Sequence, residues 1–270
     1  MNKRYLKLQK TAIKVRRNII SMIYEAQSGH PAGSLSITDL LVALYFGFST
    51  NLSPQKKHSP SRDRVVLSNA HTCPALYAVL ANKKYFQISE LKTLRKLNSR
   101  LQGHSNNHFD IGIETNGGPL GQGISQAIGM ALAGRIDKIN YHTWCFLGDG
   151  EMDEGQVWEA LMFIGNQKIN NLTIIIDRNH IQIDGRTDNV MPLKDLQKKL
   201  QAFNLRVLTI NGHSYSEILS AYKKSKTSKQ PVVIIAQTIA GKGVSFMENK
   251  FEWHGKQINS EEFKLAMQEL

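Results

Sequence analysis

The chain has 270 residues, of which 41% are hydrophobic and 21% charged, and its formal net charge is +12 at pH 7. This composition is typical of a soluble, globular protein, and the length suffices for one large α/β domain with a substantial core. The lysines are dispersed and are not collected with aromatic residues on one helix face, so the charge favours a solvated surface, or attraction of a phosphorylated substrate, over nucleic-acid binding.

Signals for export or membrane insertion are missing from the sequence. The first ten residues contain no apolar core of a signal peptide, and the longest apolar run, 40–48, is too short to span a bilayer. Cys73 and Cys145 form no C-x-x-C pair and fit no zinc-ligand spacing, and their apolar neighbours predict buried free thiols. We therefore expect a cytoplasmic protein that binds neither membrane nor nucleic acid.

The spacing of apolar residues predicts the helices and strands in chain order. Apolar positions recur at helical spacing up to Ala26, and Ser36 with Asp39 predicts the start of a second helix, capped by Ser36. Further helices are predicted over 74–80, 89–97, 120–134, 154–167, 193–203, 214–224 and 260–270. Short apolar runs predict strands over 65–67, 143–147, 172–176, 207–210 and 232–236.

The order of these elements predicts the fold class. The strands are continuous runs rich in Ile and Val, which indicates that they are buried on both faces. Strands that alternate with helices form parallel sheets through right-handed crossovers. We predict a single α/β domain spanning 1–270, a three-layer α/β/α sandwich around a mainly parallel sheet.

Oxygen-bearing side chains follow two of the predicted strands. Asp149 lies within Gly148-Asp149-Gly150 after one strand, and Asn179 follows the next strand thirty residues later. A crossover of that length places both side chains at the carboxyl edge of the sheet, where ligands bind. Mg²⁺ prefers such oxygen ligands together with phosphate oxygens, so we predict a cation held by Asp149, Asn179 and the backbone carbonyl of Ile181, next to a diphosphate.

These two strand ends resemble a known family. Gly148-Asp149-Gly150 followed by Asn179 is similar to the motif with which thiamine-diphosphate enzymes bind their cofactor, and 151–159 and 181–185 resemble transketolases. The resemblance covers nearly the whole chain. It implies the diphosphate-binding domain of that fold, thiamine diphosphate as cofactor, and Mg²⁺ (or Ca²⁺ or Mn²⁺) as its metal, with Gly150 and Asn179 in contact with the cofactor.

Four histidines stand in loop-forming sequence rich in Gly, Pro, Ser and Asn: His30, His71, His104 and His254. The resemblance to transketolases implies that His30, His104 and His254 are catalytic, with His104 on a substrate hydroxyl, and that His71 and His254 contact the cofactor. Imidazole suits this work because it can donate or accept a proton near neutral pH. The other histidines are expected to be structural or surface residues: His58, His108, His142, His180 and His213.

A glycine-rich segment, 117–123, precedes the helix predicted over 120–134. It lacks the third glycine and the preceding strand of a dinucleotide-binding fingerprint. It resembles a transketolase segment instead, which implies that Gly118, Pro119 and Leu120 pack against the cofactor.

The resemblance also implies a second polypeptide. Glu154 and Glu159 match glutamates that form a proton network across the subunit interface of transketolases, which places Glu154 beside a cofactor. The glutamate that activates the cofactor lies in a pyrimidine-binding domain in that family, and the sequence ends at Leu270 without that domain or the C-terminal one. We expect both on a C-terminal transketolase subunit, in an α2β2 assembly.

The implied activity is transfer of a two-carbon ketol (glycolaldehyde) unit from a ketose phosphate to an aldose phosphate, as in the pentose phosphate pathway, by an N-terminal subunit that is active only with its partner. One alternative is a related ketol transfer on another sugar, as in deoxyxylulose-phosphate synthases or secondary metabolism. A non-catalytic cofactor-binding subunit is a second alternative. A nucleic-acid binder is the third, and it rests on charge alone.

Overall fold

All five predicted strands are present in the computed structural model, which describes residues 2–270. They are β1 (Arg64–Leu67), β2 (Thr143–Gly148), β3 (Leu172–Arg178), β6 (Arg206–Asn211) and β7 (Val232–Gln237), while β4 (Ile181–Gln182) and β5 (Gly185–Arg186) form a small separate hairpin. The strand order of the main sheet is β1-β2-β3-β7-β6, and every neighbouring pair is parallel. The predicted parallel sheet is confirmed.

Helices cover both faces of this sheet. They are α1 (Lys3–Ala26), α2 (Pro31–Ser36), α3 (Thr38–Val42), α4 (Cys73–Asn82), α5 (Gln122–Ile136), α6 (Gly155–Asn166), α7 (Thr187–Val190), α8 (Leu196–Ala202), α9 (Tyr215–Lys226) and α10 (Ser260–Glu269). One core cluster packs α1 to α4, α9 and α10 on one face, and a second packs α5, α6 and α8 on the other. Successive residues of β2 enter opposite clusters, because side chains alternate across a strand. The three-layer α/β/α sandwich is therefore confirmed.

Two smaller expectations can also be compared with the structure. Cys73 and Cys145 are buried free thiols, as predicted. Over residues 2–270, no helix combines the length and the apolar character that a membrane crossing requires.

Two helix predictions are wrong. Ser36 does not cap a helix: it is the last residue of α2, which begins at Pro31 because proline is preset for the first helical position. The Ser36 hydroxyl donates instead to the Asp177 carboxylate. The segment 89–97 is not an α-helix but a short 3₁₀ stretch, Ile88–Thr93, after which Arg95 adopts the left-handed conformation with φ of 61°.

Helix α5 packs tightly against the end of β1 through a glycine. A Cβ added to Gly123 would lie 2.6 Å from the Cα of Ser68, closer than packed atoms can approach. Gly129, two turns later on the same helix, faces open space, with no heavy atom within 4 Å of such a Cβ. A methyl group would therefore clash with the backbone at Gly123 but not at Gly129.

We expect Gly123→Ala to destabilise the chain by about 1–3 kcal/mol, because the helix and the strand end must separate to admit the methyl group. Gly129→Ala is the matched control and should stabilise it by up to about 1 kcal/mol, since alanine favours the helix. Urea unfolding of both variants measures the difference. Equal stabilities would contradict the close approach of α5 to Ser68.

Candidate active site

The carboxyl ends of β2 and β3 lie side by side, as the sequence predicts. Gly148 pairs with Asp177 in the parallel register, so the residues that follow, Asp149 and Asn179, leave the sheet at the same edge. Both line a cavity of about 260 Å³, and Ile181 lines it too. The structure thus brings together the three residues predicted to hold a cation.

Asp149 is buried, with only 1% of its surface exposed. One carboxylate oxygen, Oδ2, accepts hydrogen bonds from Arg178 at 3.0 Å and from the backbone N–H of His180 at 2.8 Å, whereas Oδ1 accepts only from the N–H of Gly150 at 3.0 Å. Burial raises the pKa of Asp149 to about 6, although the positive charge of Arg178 opposes this. A divalent cation bound at Oδ1 would stabilise the ionised form that burial disfavours.

The side-chain amide of Asn179 has a fixed orientation. Its Nδ2 donates to Asp177 at 2.9 Å and to the hydroxyl of Ser36 at 3.3 Å. Its Oδ1 accepts from the backbone N–H of Ile181 at 3.1 Å. Because Asp177 and Ser36 bind the NH₂ group, the side-chain oxygen of Asn179 is the atom that faces Ile181. One of its two lone pairs accepts from the N–H of Ile181, and the other could bind a cation. Sequence reasoning missed Asp177 in this role, although an acid at the end of an apolar strand was the available signal.

The donor set fits an oxygen-coordinated cation. Nowhere in residues 2–270 do three His, Cys, Asp or Glu side chains gather as a metal-binding group. The predicted set is one carboxylate, one amide oxygen and one backbone carbonyl, which leaves positions for diphosphate oxygens, as protein Mg²⁺ sites commonly do.

The four loop histidines meet in the same cavity. The ring centre of His30 lies 5.2 Å from that of His71, 6.0 Å from that of His104 and 5.4 Å from that of His254. His71 and His254 are 5.1 Å apart. Residues that are far apart in the chain thus form one cluster of imidazoles around His30.

Burial favours the neutral form of all four imidazoles. Burial, assisted by neighbouring His254, Arg95 and His104, lowers the pKa of His30 to about 3. Burial also lowers the pKa of His71, His104 and His254 below the ordinary value. A neutral imidazole carries one donor and one acceptor nitrogen, so the cluster can bind hydroxyl groups in either sense.

The glycine-rich segment contributes only part of what was predicted. Gly118 and Leu120 line the cavity, and Gly118 has a φ of 142°, which favours glycine. Pro119 instead lines a separate groove beside Ser68. Pro119 is therefore not among the residues that would contact a ligand in the cavity.

A buried glutamate that sequence reasoning missed also borders the cavity. Glu151 accepts hydrogen bonds from the hydroxyl of Ser68 and from the backbone N–H groups of Gly121 at 2.7 Å and Gly148 at 3.1 Å. It thereby fixes the glycine-rich segment against the end of β2. Glu154, predicted to contact the cofactor, is exposed and does not line the cavity. The available signal for Glu151 was its position directly after Gly150.

Two buried polar atoms in the cavity wall have no hydrogen-bond partner among the described residues: Nδ1 of His30 and Oδ1 of Asn69. Such atoms are rare in folded proteins, because an unsatisfied buried polar group costs free energy. Their presence indicates that the cavity accommodates a polar ligand. Sequence reasoning missed Asn69.

The remaining histidines lie outside the cavity, as expected: His58, His108, His142, His180 and His213. His142, for example, is buried against Thr173, and its ring nitrogen lies 2.7 Å from the threonine hydroxyl. Its role is structural.

Comparison with known proteins agrees with this geometry. The family model described as transketolase, thiamine diphosphate binding domain, matches residues 8–270. The chain therefore belongs to the transketolase family, and the resemblance inferred from sequence is confirmed.

Individual relatives differ in length. The 6-deoxy-6-sulfo-D-fructose transketolase subunit SqwG of Clostridium sp. (strain MSTE9) is 41% identical, over 100% of this chain and 98% of that protein. An apulose-4-phosphate transketolase subunit of Phocaeicola vulgatus is 38% identical, over 95% of this chain and 91% of that protein. Human transketolase is 36% identical, but the chain spans only 42% of it. The crystal structure of Campylobacter jejuni transketolase superposes with a TM-score of 0.89 at 32% identity, covering 99% of this chain and 43% of that one.

We expect Asp149→Asn to weaken Mg²⁺-dependent binding of thiamine diphosphate by about 100-fold or more, because the variant loses the only carboxylate among the predicted ligands. Asp153→Asn, an exposed acid in the same turn, is the control and should bind normally. Isothermal titration calorimetry measures both. An unchanged affinity in Asp149→Asn would refute the ligand assignment.

The same carboxylate predicts how cation binding depends on pH. A raised pKa means that the folded chain keeps Asp149 protonated below about pH 6, and a cation must displace that proton. The gain in melting temperature from Mg²⁺ and thiamine diphosphate should be large at pH 8 and small at pH 5. Equal gains at both pH values would contradict this role for Asp149.

Proposed function

We propose that this chain is the thiamine-diphosphate-binding subunit of a split transketolase, which moves a two-carbon ketol unit from a ketose phosphate to an aldose phosphate. The observation that carries the proposal is a single cavity that combines the Asp149 and Asn179 pair with four imidazoles whose pKa is lowered by burial. Membership of the transketolase family supports it.

In the proposed site the diphosphate lies at the ends of β2 and β3. Asp149, Asn179 and the carbonyl of Ile181 hold Mg²⁺, and the flexible backbone at Gly150 admits the phosphate oxygens closely. Further cofactor contacts are assigned to Gly118, Leu120, His71 and His254, while Pro119, which lines the neighbouring groove, is proposed to hold the segment between Gly118 and Leu120 in place. Thiamine diphosphate, when bound, supplies an electron sink for cleavage of the carbon–carbon bond beside a ketose carbonyl.

In the proposed site, the histidines bind and orient the sugar and transfer protons. His30 and His254, 5.4 Å apart, are placed on either side of the reacting carbon, and His104 is placed on a substrate hydroxyl. In its neutral form, which burial favours, each imidazole can donate to one sugar oxygen and accept from another, which orients the substrate and provides a route for protons. The unpartnered Nδ1 of His30 is available for such a bond.

The surface formed by α5 and α6 has the properties of a contact with a partner protein. Helix α5 carries no charged residue from Gln122 to Gly134, yet positions along it such as Gly129 and Ala133 are exposed. The adjacent helix α6 exposes 56% of Met162 and 42% of Phe163. An uncharged surface with exposed apolar side chains is typical of a protein–protein contact, so we assign this α5–α6 face to the subunit interface.

The partner is proposed to be a C-terminal transketolase subunit in an α2β2 assembly. Two relatives that are named as transketolase subunits have nearly the length of this chain, whereas human transketolase is more than twice as long. Exposed Glu154 and Glu159 lie at and beyond the start of α6, where they can form the proposed proton network with the partner. The acid that activates the cofactor is expected on that partner.

The cavity also limits which part of the substrate this chain recognises. Among the described residues that line it, none is lysine or arginine. An anionic terminal group of the sugar therefore finds no counter-charge here, and we assign its recognition to the partner.

A second candidate is ketol transfer on a sugar outside the pentose phosphate pathway, which is favoured by two relatives named for sulfofructose and for apulose 4-phosphate.

We expect this chain, co-purified with the pyrimidine-binding subunit, to transfer a ketol unit from a ketose phosphate to an aldose phosphate, and His254→Ala to lower kcat by about 100-fold or more. His58→Ala, an exposed histidine, is the matched control and should retain full activity. Xylulose 5-phosphate with ribose 5-phosphate is the first pair to assay, followed by sulfofructose and apulose 4-phosphate.

Full activity of this chain alone would contradict the split arrangement. Absence of transfer with every sugar, in a complex that binds thiamine diphosphate, would favour the non-catalytic alternative.

A lysine on α5 tests the interface separately from the chemistry. Gly129→Lys places a long charged side chain in open space on the free chain, so its stability should change by no more than about 1 kcal/mol. We expect it to weaken association with the partner at least tenfold, because the charge would be buried on assembly. Gln9→Lys on α1, at the opposite face of the sheet, adds the same charge and should leave association unchanged. Tight binding by Gly129→Lys would place the interface elsewhere.

A further inference from the structure

Arg95 is an arginine that neither the motifs nor the proposed chemistry uses. It follows the 3₁₀ stretch Ile88–Thr93 and has a φ of 61°, which is uncommon for a residue with a side chain. Its backbone N–H donates to the carbonyl of Leu101 at 2.9 Å, which fixes this turn against the segment that leads to His104. The left-handed turn therefore directs the side chain of Arg95 toward the loops that precede His30 and His104.

The guanidinium of Arg95 joins the loops of two cavity histidines. One terminal nitrogen donates to the hydroxyl of Ser28 at 2.9 Å, two residues before His30. The other donates to the carbonyl of Gly103 at 3.3 Å, directly before His104. A single rigid, planar group thus spans both loops, which a lysine could not do with the same geometry.

Gly103 is shaped for this contact. A Cβ at Gly103 would lie 2.5 Å from Cζ of Arg95, so a side chain at this position would force the guanidinium to move. The same short segment has a second anchor, since the carbonyl of Gln102 accepts from the hydroxyl of Tyr77 at 2.9 Å. The His104 loop is therefore clamped between α4 and Arg95.

No acid neutralises this charge. Among residues 2–270, the ion pairs of Arg16, Arg62, Arg100 and Arg178 each include a carboxylate, but Arg95 has none, and its Nε is buried without a hydrogen-bond partner. The uncompensated charge acts on His30 and His104, whose pKa values are lowered by burial first and by Arg95 in addition.

We propose that Arg95 is a positioning residue: its guanidinium sets the relative position of the His30 and His104 loops and so the spacing of the two imidazoles across the cavity. The roles of those imidazoles rest on the proposed function, but the bridge itself does not.

The test uses the full chain with Arg95→Gln, Arg95→Lys and, as a milder change, Ser28→Ala. Amide hydrogen exchange in segments 28–30 and 101–104 should become about fivefold faster in both Arg95 variants, because each loses the fork that joins the loops. Ser28→Ala should accelerate exchange in 28–30. Arg135→Gln is the matched control, since the guanidinium of Arg135 also donates to backbone carbonyls, but at the end of α5 and away from the cavity, and it should leave both segments unchanged.

A second readout separates positioning from general destabilisation. Titration of His104 by NMR should shift its pKa upward by about 0.5 or more in Arg95→Gln, where the charge is lost, and leave it low in Arg95→Lys, where a charge remains. The groups that face His104 are Arg95 and the rings of His30 and His71, and neither ring is changed. In the complex, both Arg95 variants should lower kcat while the Kd for thiamine diphosphate stays the same.

Unchanged exchange in either loop of Arg95→Gln would overturn the proposal, and so would an unchanged His104 titration in that variant. If the complex shows no ketol transfer at all, hydrogen exchange and the His104 titration still test the role of Arg95. Failure of the proposed function can therefore be distinguished from failure of the Arg95 proposal.

Discussion

The parallel register between β2 and β3 is the constraint on which the candidate site depends. It pairs Gly148 with Asp177, so Asp149 and Asn179 leave the sheet together. Both faces of these strands are packed against helices, and a slip of one residue would turn each apolar side chain to the opposite layer. The position of these two side chains is therefore set by core packing that extends well beyond the site.

This dependence explains what the sequence could predict. All five strands were predicted because a strand buried on both faces is a continuous apolar run, and the meeting of Asp149 with Asn179 followed from the strand ends. The histidine cluster was inferred from family resemblance, since no local pattern shows where separate loops return. Asp177, Glu151 and Asn69 were missed because their roles depend on tertiary hydrogen bonds. Ser36 was misassigned as a cap for the same reason: its true partner, Asp177, is distant in the chain.

Burial gives the cavity a consistent electrostatic character. It raises the pKa of the acids Asp149 and Glu151 and lowers that of the imidazoles, so both kinds of group are moved toward their neutral forms. Arg178 and Arg95 are the nearby cations, and each is placed behind the wall, one against Asp149 and one beneath the His104 loop. The cavity surface is thus rich in hydrogen-bonding groups and poor in free charge. Such a surface suits hydroxyl groups, and in the proposed site the charges of the cation and the diphosphate would compensate each other.

On the proposed function, this character divides the recognition of a sugar phosphate between two chains. The carbonyl end of the substrate, which is common to all ketoses, meets the imidazoles here, whereas the anionic end meets residues of the partner. A change of sugar would then require changes mainly in the partner, while the diphosphate site and the histidine cluster could stay as they are. Relatives named for different sugars, at 41% and 38% identity across almost the whole chain, are consistent with that division. Substrate identity is accordingly best sought in the partner's half of the cavity.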